Sequence, residues 1–386
     1  MNILTVTSLY PNKKQFRHGI FIETRLRQLL QENGIQAKVV APVPWFPFKN
    51  NVFKKYAFYA DIPKYEERYG IGIYHPRYLV IPKVGMLFTP FFMAFSLIIQ
   101  IKKLQRLEKF DLIDAHYYYP DGVAVSLVSK LLHIPFFISA RGSDINLITN
   151  YKYPKKMILW AANNAKASIT VSKALKDKMV LIGAKPEKIH VLRNGIDLKL
   201  FRPLNKLKYK KKFRLGEKVI LSIGNLVDLK GHDLIIDALR KLPDFQLIIV
   251  GMGEEENNLK KKVTELSLEN QVLFLGERQQ TELVEIYTAS DVMVLASSRE
   301  GWPNVVLESL ACGTPVVATT VGGTPEILQQ SESGVLIERS SNAIAEGIIN
   351  LFEKYPNRDE TRKYSEKFSW ESTTQGLLKL FKTSLL

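Results

Sequence analysis

A single cysteine, Cys312, among 386 residues leaves no partner for an internal disulfide, fits a reducing compartment and reads as a small buried side chain. No Asp-x-Asp pair occurs, and the six histidines and one cysteine show no metal-ligand spacing, so neither metal nor cofactor is expected. There is no low-complexity tract or short-period repeat. Met1 to Ser8 lacks a basic leading segment, and its apolar stretch is short and β-branched, which predicts a first strand and a cytoplasmic product. Long uncharged runs are scarce as well. One, Val84 to Ile101, bounded by Lys83 and Lys102-Lys103, reaches the lower length for a membrane span. Gly85, Thr89, Pro90, Ser96 and Gln100 dilute it, and the expectation is a helix packed on a sheet. The aromatic and lysine-bearing stretch before it (Trp45, Phe46, Phe48, Phe53, Tyr56, Phe58, Tyr59) would then touch a membrane surface.

Acidic residues are scarce in one half only. Residues 1–195 hold 29 Lys+Arg against 12 Asp+Glu, whereas residues 196–386 hold 25 against 26, so the net charge of +16 belongs to the first half. Such a half faces something anionic: a lipid headgroup layer, a lipid-linked phosphate acceptor, an acidic glycan or nucleic acid. The length and the 46% apolar content suit two domains. Strands at Ile3–Thr7 and Ala37–Ala41 around a helix from about Gly19 to Glu32 form a βαβ unit, and hence a parallel sheet. Asp111–His116, Phe136–Ala140 and Ala167–Ser172 are further buried strands. In the second half, Val219–Gly224, Phe245–Val250, Val272–Gly276, Asp291–Ala296 and Pro315–Thr320 continue the pattern. The lysines of Lys206–Lys212 read as a solvated linker.

The most restrictive stretch runs from Glu300 through Gly301, Asn304, Val305, Glu308 and Gly313 to Gly322-Gly323-Thr324-Pro325-Glu326. Pro303-Asn304 is a helix start and Gly313 a stop, so a helix opens just after Glu300 with its unpaired N–H groups and positive dipole end, a natural phosphate seat. Glu308, one turn in, leans back toward that end. Two carboxylates beside an anion seat make sense where they accept hydrogen bonds from hydroxyls attached to the phosphate, as ribose and hexose in a sugar nucleotide would supply. Toward the N-terminus, strand ends at His116 and Ala140 run into Tyr119-Pro120-Asp121-Gly122 and Arg141-Gly142-Ser143-Asp144. In a parallel sheet such ends line the ligand crevice, placing His116, Tyr119, Asp121 and Asp144 there. The loop Pro11–Gly19, with Lys13, Lys14, Arg17 and His18, suits a phosphate or an acceptor group.

Glu300-x7-Glu308, Ala311-Cys-Gly-Thr-Pro-Val-Val-Ala318 and Gly322-Gly-Thr-Pro-Glu326 resemble the donor-site signature of retaining glycosyltransferases of family 4 (glycosyl transferases group 1), and Tyr-Pro-Asp-Gly with Arg-Gly-Ser-Asp resembles the subgroup of teichuronic-acid-type cell-wall enzymes. The resemblance implies an α/β chain of GT-B type, two facing Rossmann-like domains with parallel sheets and an interdomain cleft. The first would cover 1–197, with a C-terminal helix 369–386 crossing back to it, and the second 198–368. It implies a transfer of hexose, from a UDP-sugar, to a lipid-linked or cell-surface polysaccharide acceptor with retention at the anomeric carbon.

By the same resemblance Glu300 holds the donor sugar, Glu308 the ribose and Lys230 the diphosphate. Gly224, Asn225, Gly251, Gly276, Gly301, Asn304 and Val305 complete the donor site, with His18, Gly19, Tyr119, Asp121 and Asp144 on the acceptor side. His116 and Arg141 join Glu300 as catalytic candidates. Family members commonly carry His where Arg141 stands and Arg where Asn225 stands, so Arg141 is expected to supply the missing charge as a clamp, a guanidinium being no base. The expected partners are a nucleotide sugar, a glycan or polyprenyl-linked acceptor and an anionic membrane surface on its cytoplasmic side. A nucleotide-sugar epimerase or a basic nucleic-acid-binding protein are the alternatives. An epimerase leaves the basic half unexplained, and regularly spaced stacking aromatics in a positive groove are missing, so no nucleic acid is expected.

Overall fold

The computed structural model describes residues 1–46, 59–81 and 85–385. Pro47, Phe48, Phe53, Tyr56 and Phe58, and Lys83 and Val84 at the head of the uncharged run, lie outside the described residues. The chain divides into two compact units, Met1–Arg193 with Glu371–Leu386, and Asn194–Trp370. These borders differ by a few residues from the expected 197 and 368. Asn194 and Ile196 belong to the second unit because Trp302 Nε1 donates to Asn194 O at 3.0 Å and Ile196 N to Phe368 O at 2.9 Å.

In the first unit, β1 (Asn2–Val6), β2 (Gln36–Val40), β4 (Tyr65–Arg68), β5 (Ile71–Tyr74), β7 (Leu112–His116), β8 (Phe136–Ala140), β9 (Ala167–Thr170) and β10 (Ile189–Val191) form one sheet in the order β10-β9-β8-β7-β1-β2-β5-β4. All neighbours are parallel except β4 and β5. The short β3 (Val43–Pro44) and β6 (Arg77–Tyr78) pair separately. Strands β7 and β8 are buried at every position, as central parallel strands covered on both faces must be. Strand order reverses between β1 and β7, which puts the crevice of a doubly wound sheet beyond their carboxyl ends. The loops that follow β1, β7 and β8 are those carrying His18, Asp121 and Arg141.

Helix Trp370–Leu385 contributes Leu377, Leu378 and Phe381 to the core formed by Ile3, Leu112, Phe137 and Ile169, with the Phe137 and Phe381 ring centroids 4.7 Å apart. Helix Gly85–Gln105 buries Met93, Ala94, Leu97, Ile101 and Leu104, residues three and four apart that form one face. Of the helices among the described residues it alone is long and apolar enough to cross a membrane by length and composition.

The second unit contains β11 (Lys218–Ile223), β12 (Phe245–Val250), β13 (Val272–Gly276), β14 (Val292–Leu295), β15 (Val316–Thr319) and β16 (Gly334–Ile337), all parallel, in the order β13-β12-β11-β14-β15-β16. Here the order reverses between β11 and β14. Residues 206–212 form a helix and are not the solvated linker expected: Lys206 and Lys210 both reach Asp291, Lys210 at 2.7 Å, and Lys212 meets Glu285 at 2.5 Å. Three flexible lysines with carboxylates in reach lose less by ordering than a run of like charges in water suggests.

Candidate active site

The second unit's site is assembled at the carboxyl ends of β11, β12, β14 and β15. Strand β11 leaves through Gly224 into exposed Asn225, a tight turn over Asp228–Lys230, and the helix His232–Ala238. Imidazole and hydroxyl fix that turn from below, His232 Nδ1 lying 2.7 Å from Ser222 Oγ and Nε2 3.3 Å from Asn225 O. Gly251 ends β12 with φ 143°, and a Cβ there would stand 1.8 Å from Gly224 O, so only glycine lets the two loop backbones meet. Gly276, at the end of β13, accepts from Gly251 N at 3.0 Å.

Strand β14 runs into Ser297 and Glu300. Thr319 Oγ1 donates to Ser297 O at 2.6 Å, tying this loop to the end of β15. Gly322 lies so close that a Cβ would stand 2.0 Å from Glu300 O, with φ 53°, and Gly323 N donates to Gly301 O at 3.2 Å. The glycine pair thus clamps the backbone on which Glu300 sits. Its carboxylate is 12% exposed, and Oε1 accepts from Lys230 Nζ at 2.5 Å and from Ser297 Oγ at 2.6 Å.

The helix Asn304–Ala311 begins four residues beyond Glu300. Asn304 and Val305 are its partly buried first residues, and Asn304 Oδ1 accepts from Asn194 Nδ2 at 3.2 Å. Glu308 Oε2 accepts from Tyr287 Oη at 2.8 Å. The arrangement presents two oriented carboxylates, one ammonium and a glycine-lined backbone within a single unit. Such a set can accept hydrogen bonds from polyols and neutralise an anion between them.

The carboxyl ends of β7 and β8 in the first unit hold a buried polar chain. Arg25 donates from Nη1 to Ser139 Oγ at 2.7 Å and from Nη2 to Asp114 Oδ2 at 3.2 Å. His116 Nε2 lies 3.2 Å from the same Asp114 oxygen, and its Nδ1 is met by Arg141 Nη2. A guanidinium only donates, so Nδ1 is the acceptor and Nε2 carries the proton given to Asp114. Burial, helped by Arg141 and Arg25, lowers the His116 pKa to about 3, and the ring is neutral at physiological pH. Burial pushes Asp114 up, but Arg25, His116 and Arg141 more than reverse this and hold it at about 2.

Residues 205–368 match the family model for glycosyl transferases group 1, and residues 22–200 match the one for glycosyltransferase family 4. Glycosyltransferase TuaC of Bacillus subtilis (strain 168), assigned to teichuronic acid biosynthesis, is 30% identical over 355 residues, which are 90% of this chain and 88% of its own. This chain belongs to glycosyltransferase family 4. N-acetyl-alpha-D-glucosaminyl L-malate synthase of Bacillus anthracis is 28% identical over 261 residues, covering 65% of this chain and 68% of that one. Among solved structures, sucrose-phosphate synthase from Thermosynechococcus elongatus superposes with TM-score 0.81 at 18% identity, over 99% of each chain. Anabaena HepE in complex with UDP-glucose superposes with TM-score 0.74 at 19% identity, over 99% of this chain and all of its own. The fold of this family 4 glycosyltransferase is GT-B.

Within the glycosyltransferase, Gly224, Gly251, Gly276, Lys230, Glu300 and Gly301 are joined by close contacts, whereas three first-unit candidates, His116, Asp121 and Asp144, are buried. His116 is 1% exposed with both ring nitrogens engaged, so it positions Arg141 and has no nitrogen left to act as a base. Asp121 is fully buried and accepts from Ser8 N and Ser8 Oγ, which ties β7's exit to β1's; burial pushes its pKa up to about 7. Asp144, equally buried, accepts from the backbone N–H groups of Tyr118, Arg141 and Gly142 and so shapes the loop that presents Arg141. His116 is the last residue of β7, while Asp121 and Asp144 sit in the turns just after β7 and β8, and all three side chains are turned into buried hydrogen bonds beneath those turns.

Tyr119 is 5% exposed in the turn Tyr118–Gly122. His18 Nε2 lies 3.2 Å from Ser8 O, with burial lowering its pKa, and Gly19 (φ 68°) caps the helix Ile20–Leu29 where a Cβ would stand 2.2 Å from Leu9 O. Sequence reasoning missed Ser297, Tyr287, Arg25 and Asp114. Ser297 alone had a local signal, a hydroxyl at the end of a buried strand three residues before Glu300.

Proposed function

We propose that this glycosyltransferase moves a hexose from a UDP-sugar to a lipid-linked or cell-surface polysaccharide acceptor, with retention of anomeric configuration, in the cytoplasm at the inner face of the membrane. The observation that carries the donor assignment is the Lys230–Glu300 pair on Ser297, with Glu308 one turn into the helix that follows. A sugar nucleotide has hydroxyls at both ends of a diphosphate. Glu300 takes those of the hexose, Glu308 those of the ribose, and Lys230 turns part of its charge to the diphosphate between them. Backbone N–H groups at Gly301, Asn304 and Val305 and the dipole of the helix Asn304–Ala311 add to that charge. As the glycosidic bond breaks, charge grows on the departing nucleoside diphosphate, and donors already aimed there lower the barrier without reorganising. The donor is a substrate, and no resident cofactor takes part in the reading. UDP is favoured by a solved neighbour of the same fold that holds UDP-glucose, and the polysaccharide acceptor by the teichuronic acid relative.

A thermal-shift panel of UDP-, GDP- and ADP-sugars tests the donor class, since a ligand at a hundred times its Kd adds about 2.7 kcal/mol of stability. A UDP-hexose should raise the unfolding midpoint most. No shift with any of them would remove the reading, and a product of inverted configuration by proton NMR would remove retention. Glu308→Ala should lower kcat/KM about tenfold to a hundredfold, the worth of one charge-assisted hydrogen bond to a buried hydroxyl. Transfer at the parent rate would show that the ribose lies elsewhere.

A further inference from the structure

The helix Gly85–Gln105 has a second face that the fold leaves uncovered. Phe88, Phe91, Phe95 and Ile99 recur at spacings of three and four and are 49%, 49%, 68% and 45% exposed, opposite the buried Met93, Leu97, Ile101 and Leu104. The same row continues into exposed Lys102, with exposed Arg106 just past the helix end, so one stripe is apolar for about three turns and basic at its close. Beside it lies a groove of about 450 Å³, walled by Leu79, Phe92, Phe95 and Ile99 with Arg77 and Lys103 among its lining residues. Leu79, Val80 and Ile81 are exposed next to it. A soluble monomer rarely leaves this much contiguous apolar surface in water.

We propose that this stripe docks the chain on the anionic leaflet of a membrane. The four apolar side chains enter the boundary between headgroups and acyl chains while Lys102, Lys103, Arg106 and Arg77 stay among the phosphates. Phe88 to Ile99 spans roughly 17 Å of helix, long enough to lie in the interface plane as amphipathic helices do. Charge selects this occupant over a second copy: residues 1–195 carry 29 basic against 12 acidic side chains, so two such faces would repel, whereas an anionic leaflet attracts. A full span is disfavoured because it would strip the opposite face from the helix Val123–Leu132 and the strand β6 it packs against. The inference rests on the membrane location proposed above and deepens it by naming the surface that docks; it does not depend on which donor is bound, so a failed flotation leaves the donor reading standing.

Flotation of the full chain with vesicles of equal parts phosphatidylcholine and phosphatidylglycerol, against phosphatidylcholine alone, is the test. Binding to the anionic vesicles is expected, weakening as salt rises. Phe88→Ser/Phe91→Ser/Phe95→Ser should lower partitioning by about tenfold per phenylalanine, and Lys102→Glu/Arg106→Glu by at least about fivefold per charge. Both sets are exposed, so each variant should keep the parent's unfolding midpoint, which separates lost docking from lost folding. The proposal is overturned if the parent stays at the bottom of the gradient or if the triple variant floats like the parent. A dimer in vesicle-free sedimentation that the triple variant dissolves would assign the face to a second copy instead. Resistance to alkaline carbonate extraction from cell membranes would assign it to a span.

Discussion

Lys230→Ala should lower kcat about a hundredfold to a thousandfold, the range for removing one preorganised donor to a developing anion, while weakening binding of the intact donor far less. The asymmetry follows from the ground state. Lys230 Nζ is already 2.5 Å from Glu300 Oε1, so the ammonium is partly neutralised before any substrate arrives. Its extra worth is realised when charge accumulates on the departing diphosphate, and an interaction stronger in the transition state than in the bound substrate appears in kcat. Glu300→Gln separates the two partners: it keeps a hydrogen-bond acceptor for the sugar hydroxyls but frees Lys230, so donor affinity should be kept or tightened while transfer slows. Steady-state kinetics with the UDP-sugar found by thermal shift, together with calorimetric donor affinity, check both. A Lys230→Ala enzyme within threefold of the parent would dismiss Lys230 as the leaving-group donor.

The loop and helix around Glu300 were legible in the sequence because they are local. Glu300, Asn304 and Glu308 lie within one strand-loop-helix passage and Gly322 just after the next strand, where glycine and proline offsets determine the backbone and helical geometry determines which side chains share an end. Parallel βαβ order was legible for the same reason, buried runs alternating with helical patterns. What escaped was contact between distant positions. Arg25 and Asp114 are 89 residues apart, Tyr287 and Glu308 21, and Lys206 and Asp291 85, and no periodicity encodes which polar side chain meets which across a packed layer. The burial of His116, Asp121 and Asp144 escaped the sequence for one reason. A strand's carboxyl end identifies the edge of the sheet that borders a site, but whether a given side chain faces the site or the layer beneath depends on packing that spacing does not record.

Arg25→Met should cost about 3–5 kcal/mol of stability, because it leaves Asp114, 4% exposed, as a buried carboxylate stripped of its guanidinium, and Ser139 without its donor. Acid should reveal the same network. The folded Asp114 carboxyl, held at about 2, lies below the unfolded value of about 3.9, so its stabilisation is complete above about pH 4 and fades as pH falls toward 2. His116 is held at about 3 against about 6.5 when unfolded; the unfolded chain takes the proton first, and acidification below about pH 6.5 therefore costs stability. Asp121 runs the other way. Burial raises it to about 7, the folded chain takes the proton first, and acidification from about pH 7 to 4 adds stability, with Asp144, also raised by burial, acting in the same sense. Between about pH 4 and 6.5 the two influences oppose, so removing either should unmask the other. On going from pH 7 to about pH 5, Asp121→Asn should lose stability relative to the parent and His116→Gln should gain it. Denaturant midpoints at three pH values read this directly, and identical slopes in the two variants would show that neither group governs the acid response.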